Sequence, residues 1–299
     1  MSKLAIPPDE QMVKLNRYLI RNAEKLPSPV ITVGGQAVMY WLAVYMDAYT
    51  EKPDMTFINS IDIDYVARNE GIAAIAQIFN VNAEIQTTFT PPSLAVLALI
   101  DAGTGKVKED EHGLFLNPEV NEPNIVDIID RPSGFESDDF IGKKLALNTE
   151  LFQVLPEHYG DVTCNDKVRV LNPIACIRSR LSNATVPPMQ KDPLTEAARI
   201  RALAIPAYNF LLEKFECLPF RQGRVYLDYF CSMIWQRNYR RYQIEHKLPL
   251  YRIIEKMLDE IKLKPNDFNL PENFYHIELP RKLEHLRTEY ERIANATNK

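Results

Sequence analysis

Two short stretches decide the fold of this chain: Val30-Ile31-Thr32-Val33-Gly34-Gly35 and Ser60-Ile61-Asp62-Ile63-Asp64. The first is a β-branched run that ends in a glycine pair, which is typical of a strand that enters a tight turn. The second alternates apolar and acidic residues, which predicts a strand with isoleucines on one face and aspartates on the other. An apolar run over residues 36–49 lies between them and predicts a buried helix.

The two aspartates predict a metal site. Asp62 and Asp64 are separated by a single residue, so a strand directs both carboxylates to the same face. Neighbouring unpaired carboxylates repel each other unless a cation neutralises them, and carboxylate oxygens are ligands that Mg²⁺ prefers. An ordinary solvent-facing strand is the alternative interpretation, because it shows the same alternation.

The glycine pair predicts a phosphate site next to the metal site. Because glycine has no side chain, the backbone N–H groups of Gly34-Gly35 can approach a phosphate closely. They stand at the start of the next helix, where the helix dipole also favours an anion. A simple strand-to-helix turn is the alternative interpretation of this pair.

A third acid is expected on a later strand. Residues 124–130 form an apolar run in which Asp127 has two apolar residues on each side. A carboxylate there is costly to bury without a partner, which predicts Asp127 as the third metal ligand. Asp130 is the competitor. Its odd offset places it on the opposite face and next to Arg131, which predicts a turn residue paired with a charge.

The second half of the chain changes character. Beyond about residue 171, apolar residues recur at helical spacing and prolines separate the segments. Helices are predicted over residues 173–183, 194–216, 225–244, 250–262 and 281–294. The sequence therefore predicts an α/β domain over residues 1–168, followed by a helical domain over residues 169–299.

The amino-acid composition limits the classes of function that this chain can have. The 299 residues are 46% apolar and carry a formal net charge of -5, which is unlike proteins that coat nucleic acid indiscriminately. No run approaches the ~18 apolar residues of a membrane-spanning helix, and the N-terminus lacks the apolar core of a secretory signal. We therefore expect a cytoplasmic protein with no membrane partner. Its four cysteines and five histidines lack the close spacing of zinc ligands.

These motifs resemble a known superfamily. The run Val33-Gly34-Gly35-Gln36-Ala37-Val38-Met39-Tyr40-Trp41, followed by Ser60 to Asp64, is similar to the glycine pair and Asp-x-Asp signature of the DNA polymerase β-type nucleotidyltransferases. The likeness is to the bacterial branch that includes the abortive-infection type toxins. The segment from Val168 to Asn183 resembles a helix that follows the catalytic domain in that branch. The resemblance covers roughly residues 30 to 205.

The resemblance implies a nucleotidyltransferase-type mixed sheet flanked by helices. It also implies a Mg²⁺- or Mn²⁺-dependent enzyme, acting as a toxin, that moves a nucleoside monophosphate from a nucleoside triphosphate (NTP) to an acceptor hydroxyl. In that mechanism Asp127 helps to activate the hydroxyl. The implied metal ligands are Asp62, Asp64 and Asp127, and the implied nucleotide-binding residues are Gly34, Gly35, Gln36, Ser60 and Arg180.

Two departures from the family pattern keep an alternative open. Gln36 stands where many members have Ser or Thr, and the long interval from Gly35 to Asp62 predicts an insertion over residues 47–57. The alternative is a degenerate fold that binds a nucleotide or a protein partner without catalysis. For Arg180 the alternative is a place on a solvated helix face.

The acceptor stays open among RNA, protein and a small molecule, and an antitoxin is a candidate protein partner. The run Arg237-Asn238-Tyr239-Arg240-Arg241-Tyr242 interleaves cations and aromatic rings. Such a run could hold the backbone and stack the bases of an RNA or DNA acceptor. The solvated end of an amphipathic helix is the alternative interpretation.

Overall fold

A computed structural model describes residues 4–53, 60–86, 93–154, 165–186, 191–268 and 270–297. The chain forms two compact units. The α/β unit comprises Met1–Tyr40 and Ile58–Cys176, and the helical unit comprises Trp41–Phe57 and Ile177–Lys299. The division of the sequence into residues 1–168 and 169–299 stays a prediction.

The strands of the α/β unit in chain order are β1 (Val30–Thr32), β2 (Ile63–Val66), β3 (Glu84–Ile85), β4 (Ser93–Ala98), β5 (Leu116–Asn117), β6 (Glu122–Pro123), β7 (Ile125–Ile129), β8 (Thr149–Leu151) and β9 (Val168–Leu171). A seven-stranded mixed sheet has the order β3-β4-β7-β2-β1-β9-β8. Strand β1 is parallel to β9 and β2 is parallel to β7, whereas the other neighbours are antiparallel. A separate pair joins β5 to β6. The predicted mixed α/β class is confirmed.

In the part of the chain that the structure describes, four helices accompany these strands. They are α1 (Pro8–Arg21), α2 (Gly34–Val44), α3 (Asn69–Phe79) and α4 (Gly142–Asn148). Helix α1 packs against α3 and β9, and α3 packs against β4. The helix predicted over residues 36–49 is shorter at its end, because a single 3₁₀ turn, Met46–Ala48, follows α2.

The central strands present a buried face and an open face. The buried face is formed by alternate residues of β4, β2 and β7: Ala95, Leu97, Ile63, Tyr65, Val126 and Ile128. The Tyr65 ring lies 6.3 Å from the Phe79 ring of α3, which covers this buried face. On the opposite side, here called the open face, Val96, Asp127 and Asp64 follow one another across paired strands and are half-buried. The predicted alternation is therefore confirmed for Ile63 and Asp64. The prediction that Asp62 shares the strand is wrong, because β2 begins at Ile63 and Asp62 lies in a bend before it.

The C-terminal region is helical, as the sequence predicts. Its helices in chain order are α5 (Pro173–Thr185), α6 (Pro193–Ala202), α7 (Ala204–Cys217), α8 (Phe220–Ile234), α9 (Arg237–Glu245), α10 (Tyr251–Leu263) and α11 (Leu279–Thr297). Contacts of α7 with α8 and α10, and of α11 with α9 and α10, hold the helical unit together. Among the described residues, no helix is long and apolar enough to span a membrane.

Two predicted helices are each divided in two. The segment 194–216 breaks at Leu203, because Pro206 has no N–H to donate to the carbonyl of Ala202 and is tolerated only in a first helical turn. The segment 225–244 breaks after Ile234. There the buried Gln243 side chain donates a hydrogen bond of 2.9 Å to the Ile234 carbonyl, which satisfies the end of α8.

Candidate active site

The glycine turn lies directly against two predicted site residues. Gly34 begins α2 with a φ of 65°, a left-handed conformation that favours glycine. A Cβ atom on Gly34 would stand 2.0 Å from Asp64 Oδ2, and a Cβ atom on Gly35 would stand 2.2 Å from Ser60 Cβ. A side chain at either position would therefore force Asp64 or Ser60 to move.

The start of α2 also offers backbone donors. In the described part of the chain, no backbone carbonyl accepts the N–H groups of Gly34, Gly35 or Gln36. The N–H of Val33, one residue earlier, donates to the Asp64 carbonyl at 3.0 Å and ties β1 to β2. Free N–H groups at a helix start can bind a phosphate or a carboxylate.

Asp64 and Asp127 stand side by side on the open face. The parallel strands β2 and β7 pair these two residues directly, and paired strands are about 4.8 Å apart. Asp62 lies in an exposed bend just before β2, and its negative charge acts on Asp127. The structure thus brings all three predicted acids to one region of the sheet.

Asp127 has a perturbed acidity and an unexpected partner. Burial raises the pKa of its carboxyl above the usual value, and the charge of Asp62 adds to the rise. Ser93 opposes the shift, because its Oγ donates a hydrogen bond of 2.5 Å to Asp127 Oδ1 and stabilises the ionised form. Ser93 was not predicted as a site residue, since its contact depends on the pairing of β4 with β7.

The acids suit a hard divalent cation in chemistry but do not form a complete ligand set. Within the described ranges, no group of three or more His, Cys, Asp or Glu side chains is close enough to hold a metal ion. Asp64 and Asp127 supply two adjacent carboxylates. Asp62 is exposed and outside the strand, so its side chain can reorient at small cost. Mg²⁺ or Mn²⁺ would therefore have to draw the Asp62 carboxylate toward the other two.

Gln36 is buried beneath the glycine turn. Its Nε2 donates to the Ser60 carbonyl at 2.6 Å, and the Ser60 N–H donates to Met39 Sδ at 3.3 Å. Its Oε1 is buried and has no hydrogen-bond partner in the described part of the chain. The side chain of Gln36 therefore positions the segment that leads into Asp62, and contact of Gln36 with a nucleotide stays a prediction.

Asp130 lies outside this cluster. Strand β7 ends at Ile129, and Asp130 accepts from Arg131 Nη1 at 2.6 Å and from Ser137 Oγ at 2.5 Å. The predicted pairing of Asp130 with Arg131 is confirmed. Asp127, on the strand itself, is the acid that stands beside Asp64.

Arg180 has a structural environment within the helical unit. Its side chain is buried, and its Nε lies 3.5 Å from Oε2 of Glu196, which is fully buried. Arg199 contacts the other carboxylate oxygen of Glu196 at 3.1 Å. This charged group joins α5 to α6, and a role for Arg180 in nucleotide binding stays a prediction.

The basic and aromatic run of α9 is divided between interior and surface. Tyr239 and Tyr242 are 6% and 3% exposed, so the prediction that they stack on bases is wrong. They face the interior because helical spacing puts both on the apolar side of α9. The three arginines of the run, Arg237, Arg240 and Arg241, line a cavity of about 540 Å³. The other lining residues are Asn238, Ile244, Glu245 and Ile293.

No protein-family model, curated protein or solved structure matches this chain. The nucleotidyltransferase resemblance therefore stays a prediction. What the structure adds is local: Ser60 and Asp64 lie against the glycine turn at the start of α2, Asp127 pairs with Asp64 on the open face, and the charge of Asp62 acts on Asp127.

Proposed function

We propose that this chain is a Mg²⁺-dependent nucleotidyltransferase with a nucleotidyltransferase-type sheet. The in-register pairing of Asp64 with Asp127, beside a glycine turn that opens a helix, carries the proposal. Within the described ranges, these two carboxylates lie near N–H groups that no backbone carbonyl accepts, and transfer from a metal-bound triphosphate uses both kinds of group.

In this proposal the backbone of the glycine turn binds the triphosphate and the three acids bind the metal. The N–H groups of Gly34 and Gly35 bind phosphate oxygens, and Asp62, Asp64 and Asp127 hold the cation. When bound, a divalent cation neutralises charge on the triphosphate and on the leaving pyrophosphate. Gln36 keeps the Ser60 segment in place, so that Asp62 starts from a defined position.

Asp127 receives the proton of the acceptor hydroxyl. The hydroxyl oxygen bonds to the α-phosphorus while the bond to the β-phosphate oxygen breaks, and pyrophosphate leaves. Because Asp127 already accepts a hydroxyl hydrogen bond from Ser93, its carboxylate is oriented to receive one from an acceptor.

Nucleotide binding without catalysis is the second candidate. Two observations favour it: Gln36 offers no hydroxyl to a phosphate, and the described residues lack a metal-ready group of three. An assay of transfer separates the two candidates, since both predict nucleotide binding and only the first predicts a covalent product.

The test is incubation with each labelled NTP, Mg²⁺ or Mn²⁺, and total RNA or lysate protein as acceptor. We expect transfer by the wild type, none by Asp127→Asn, and near wild-type transfer by Asp130→Asn. The two variants form a matched pair, because each removes one carboxylate charge while nearly preserving shape. Loss of transfer in Asp130→Asn with retention in Asp127→Asn would contradict the assignment.

Metal binding is tested separately by thermal melting. Mg²⁺ or Mn²⁺ should raise the melting temperature of the wild type, because a ligand of the native state alone stabilises it. The double variant Asp62→Asn with Asp64→Asn should lose this rise. If it responds as fully as the wild type, the cation binds elsewhere.

We propose RNA as the acceptor class to test first, because three arginines line the cavity on α9. Arg240 lies 4.6 Å from the centre of the Trp235 ring, and Arg241 forms an exposed ion pair with Glu245. Loss of Arg237 and Arg241 together should weaken binding of a fluorescent single-stranded RNA and lower its salt dependence. The matched control removes Arg252 and Lys256, two exposed cations of α10. Equal losses in both double variants would show nonspecific attraction.

A cytoplasmic location, action as a toxin and control by an antitoxin are also proposals. They rest on the sequence resemblance. A toxin of this kind should arrest growth when expressed, and Asp127→Asn should relieve the arrest.

A further inference from the structure

A serine hydroxyl already stands in the position of an acceptor at Asp127. Ser93 begins β4, and its Oγ donates to Asp127 Oδ1 at 2.5 Å. Ser93 pairs with Ile129, two positions after Asp127 on β7, so it lies on the same open face. The residue is half-buried rather than enclosed. A ligand on the open face can therefore reach this hydroxyl.

The chain contains a second serine–aspartate pair with the same distance in a different setting. Ser137 Oγ donates to Asp130 Oδ2 at 2.5 Å, but Asp130 is also bound by Arg131 and lies beyond the end of β7. In the described part of the chain, no cationic side chain pairs with Asp127. Only the Ser93 pair adjoins Asp64 and the glycine turn, where a triphosphate would bind.

We propose that Ser93 is a site of self-nucleotidylation, in which the Ser93 hydroxyl accepts a nucleoside monophosphate from an NTP bound at the start of α2. This inference rests on the proposed function. In the step, Ser93 Oγ bonds to the α-phosphorus, the bond from that phosphorus to the β-phosphate oxygen breaks, pyrophosphate leaves, and the hydroxyl proton passes to the Asp127 carboxylate. No oxidant or further reactant is needed.

The product has a consequence for external acceptors. A phosphodiester on Ser93 removes the hydroxyl that donates to Asp127 and places a nucleotide on the open face beside Asp64. The modified chain should then transfer more slowly to any external acceptor, because the general base and the space for the acceptor are both obstructed.

The experiment uses the full chain, Mn²⁺ or Mg²⁺, and each of ATP, GTP, CTP and UTP in turn. Intact mass spectrometry measures the gain of one nucleoside monophosphate, and fragmentation of the tryptic peptide 69–106 locates it. We expect the wild type and Ser137→Ala to gain the mass, and Ser93→Ala and Asp127→Asn to lose this gain. Ser93→Thr, which keeps a hydroxyl, should restore part of it.

Nucleotide-dependent thermal stabilisation of every variant is measured alongside. If Ser93→Ala is stabilised by NTP like the wild type but gains no mass, a folding defect does not explain the loss and the proposal is supported. If the wild type labels an external acceptor but not itself, or if Ser93→Ala is still labelled, the inference is overturned while the proposed function stands. If the wild type neither binds NTP nor labels any acceptor, both fail.

Discussion

Replacing Gly34 with alanine should damage the site far more than the fold, and a matched glycine elsewhere isolates the reason. Gly34 and Gly105 have nearly equal left-handed φ angles of 65° and 67°. A Cβ on Gly105 meets nothing within 4 Å, whereas a Cβ on Gly34 would lie 2.0 Å from Asp64 Oδ2. Gly34→Ala and Gly105→Ala therefore carry the same conformational cost of a left-handed backbone. Only Gly34→Ala adds a steric clash with Asp64.

The magnitudes follow from these distances. A left-handed alanine costs about 1–2 kcal/mol, so each variant should melt lower by roughly 2–4 °C per kcal/mol. In Gly34→Ala, the Asp64 oxygen must also retreat by about 1.5 Å to reach an ordinary contact distance near 3.5 Å. A misplacement of about 1 Å can cost on the order of 10²-fold in rate, and we expect a loss of that size in nucleotide transfer.

The assay combines melting curves without ligand, Mn²⁺ titration followed by thermal shift, and labelled NTP transfer. Gly105→Ala should retain metal binding and transfer at the wild-type level after its small loss of stability. Equal transfer by the two variants would refute the claim that the glycine exists to admit the Asp64 carboxylate. A much larger loss of stability in Gly34→Ala would show that the backbone, rather than the carboxylate, absorbs the collision.

Two further predictions concern buried charge. Burial pushes the pKa of Asp110 up, but hydrogen bonds from Lys14 and from the backbone N–H of His112 bring it below the usual value. Asp110→Asn should therefore cost about 3–5 kcal/mol at neutral pH in chemical denaturation. The difference from wild type should shrink as pH falls below about 4, because the ionised carboxylate stabilises only above that range. Arg180→Ala should cost less than the about 3–5 kcal/mol of an unpaired buried charge, because Arg199 still pairs with the buried Glu196. Adding Arg199→Ala should raise the loss to that range, and no further loss would contradict the shared pairing.

Local features of this protein were predictable because their causes are local. Apolar spacing marks the C-terminal helices, alternation marks β2, and a glycine pair after a β-branched run marks the turn into α2. The pairing of Asp130 with Arg131 was likewise predictable, because the two residues are neighbours along the chain.

Tertiary structure decided everything that depends on which strands and helices become neighbours. The pairing of β2 with β7 sets Asp64 beside Asp127, and the pairing of β4 with β7 brings Ser93 to the same carboxylate. Neither pairing is encoded in spacing along the chain, because strand order follows from packing over the whole sheet.

Burial separated residues that the sequence treats alike. Tyr239 and Arg241 belong to one run, yet the tyrosine is interior and the arginine is exposed. Arg180 is charged, yet it is buried with Glu196, and Gln36 is used inside the turn rather than on its surface. The sequence alone determined which residue types could serve a phosphate and a cation. The packed structure determined which of them stand together, because burial and distance are properties of neighbours that lie far apart along the chain.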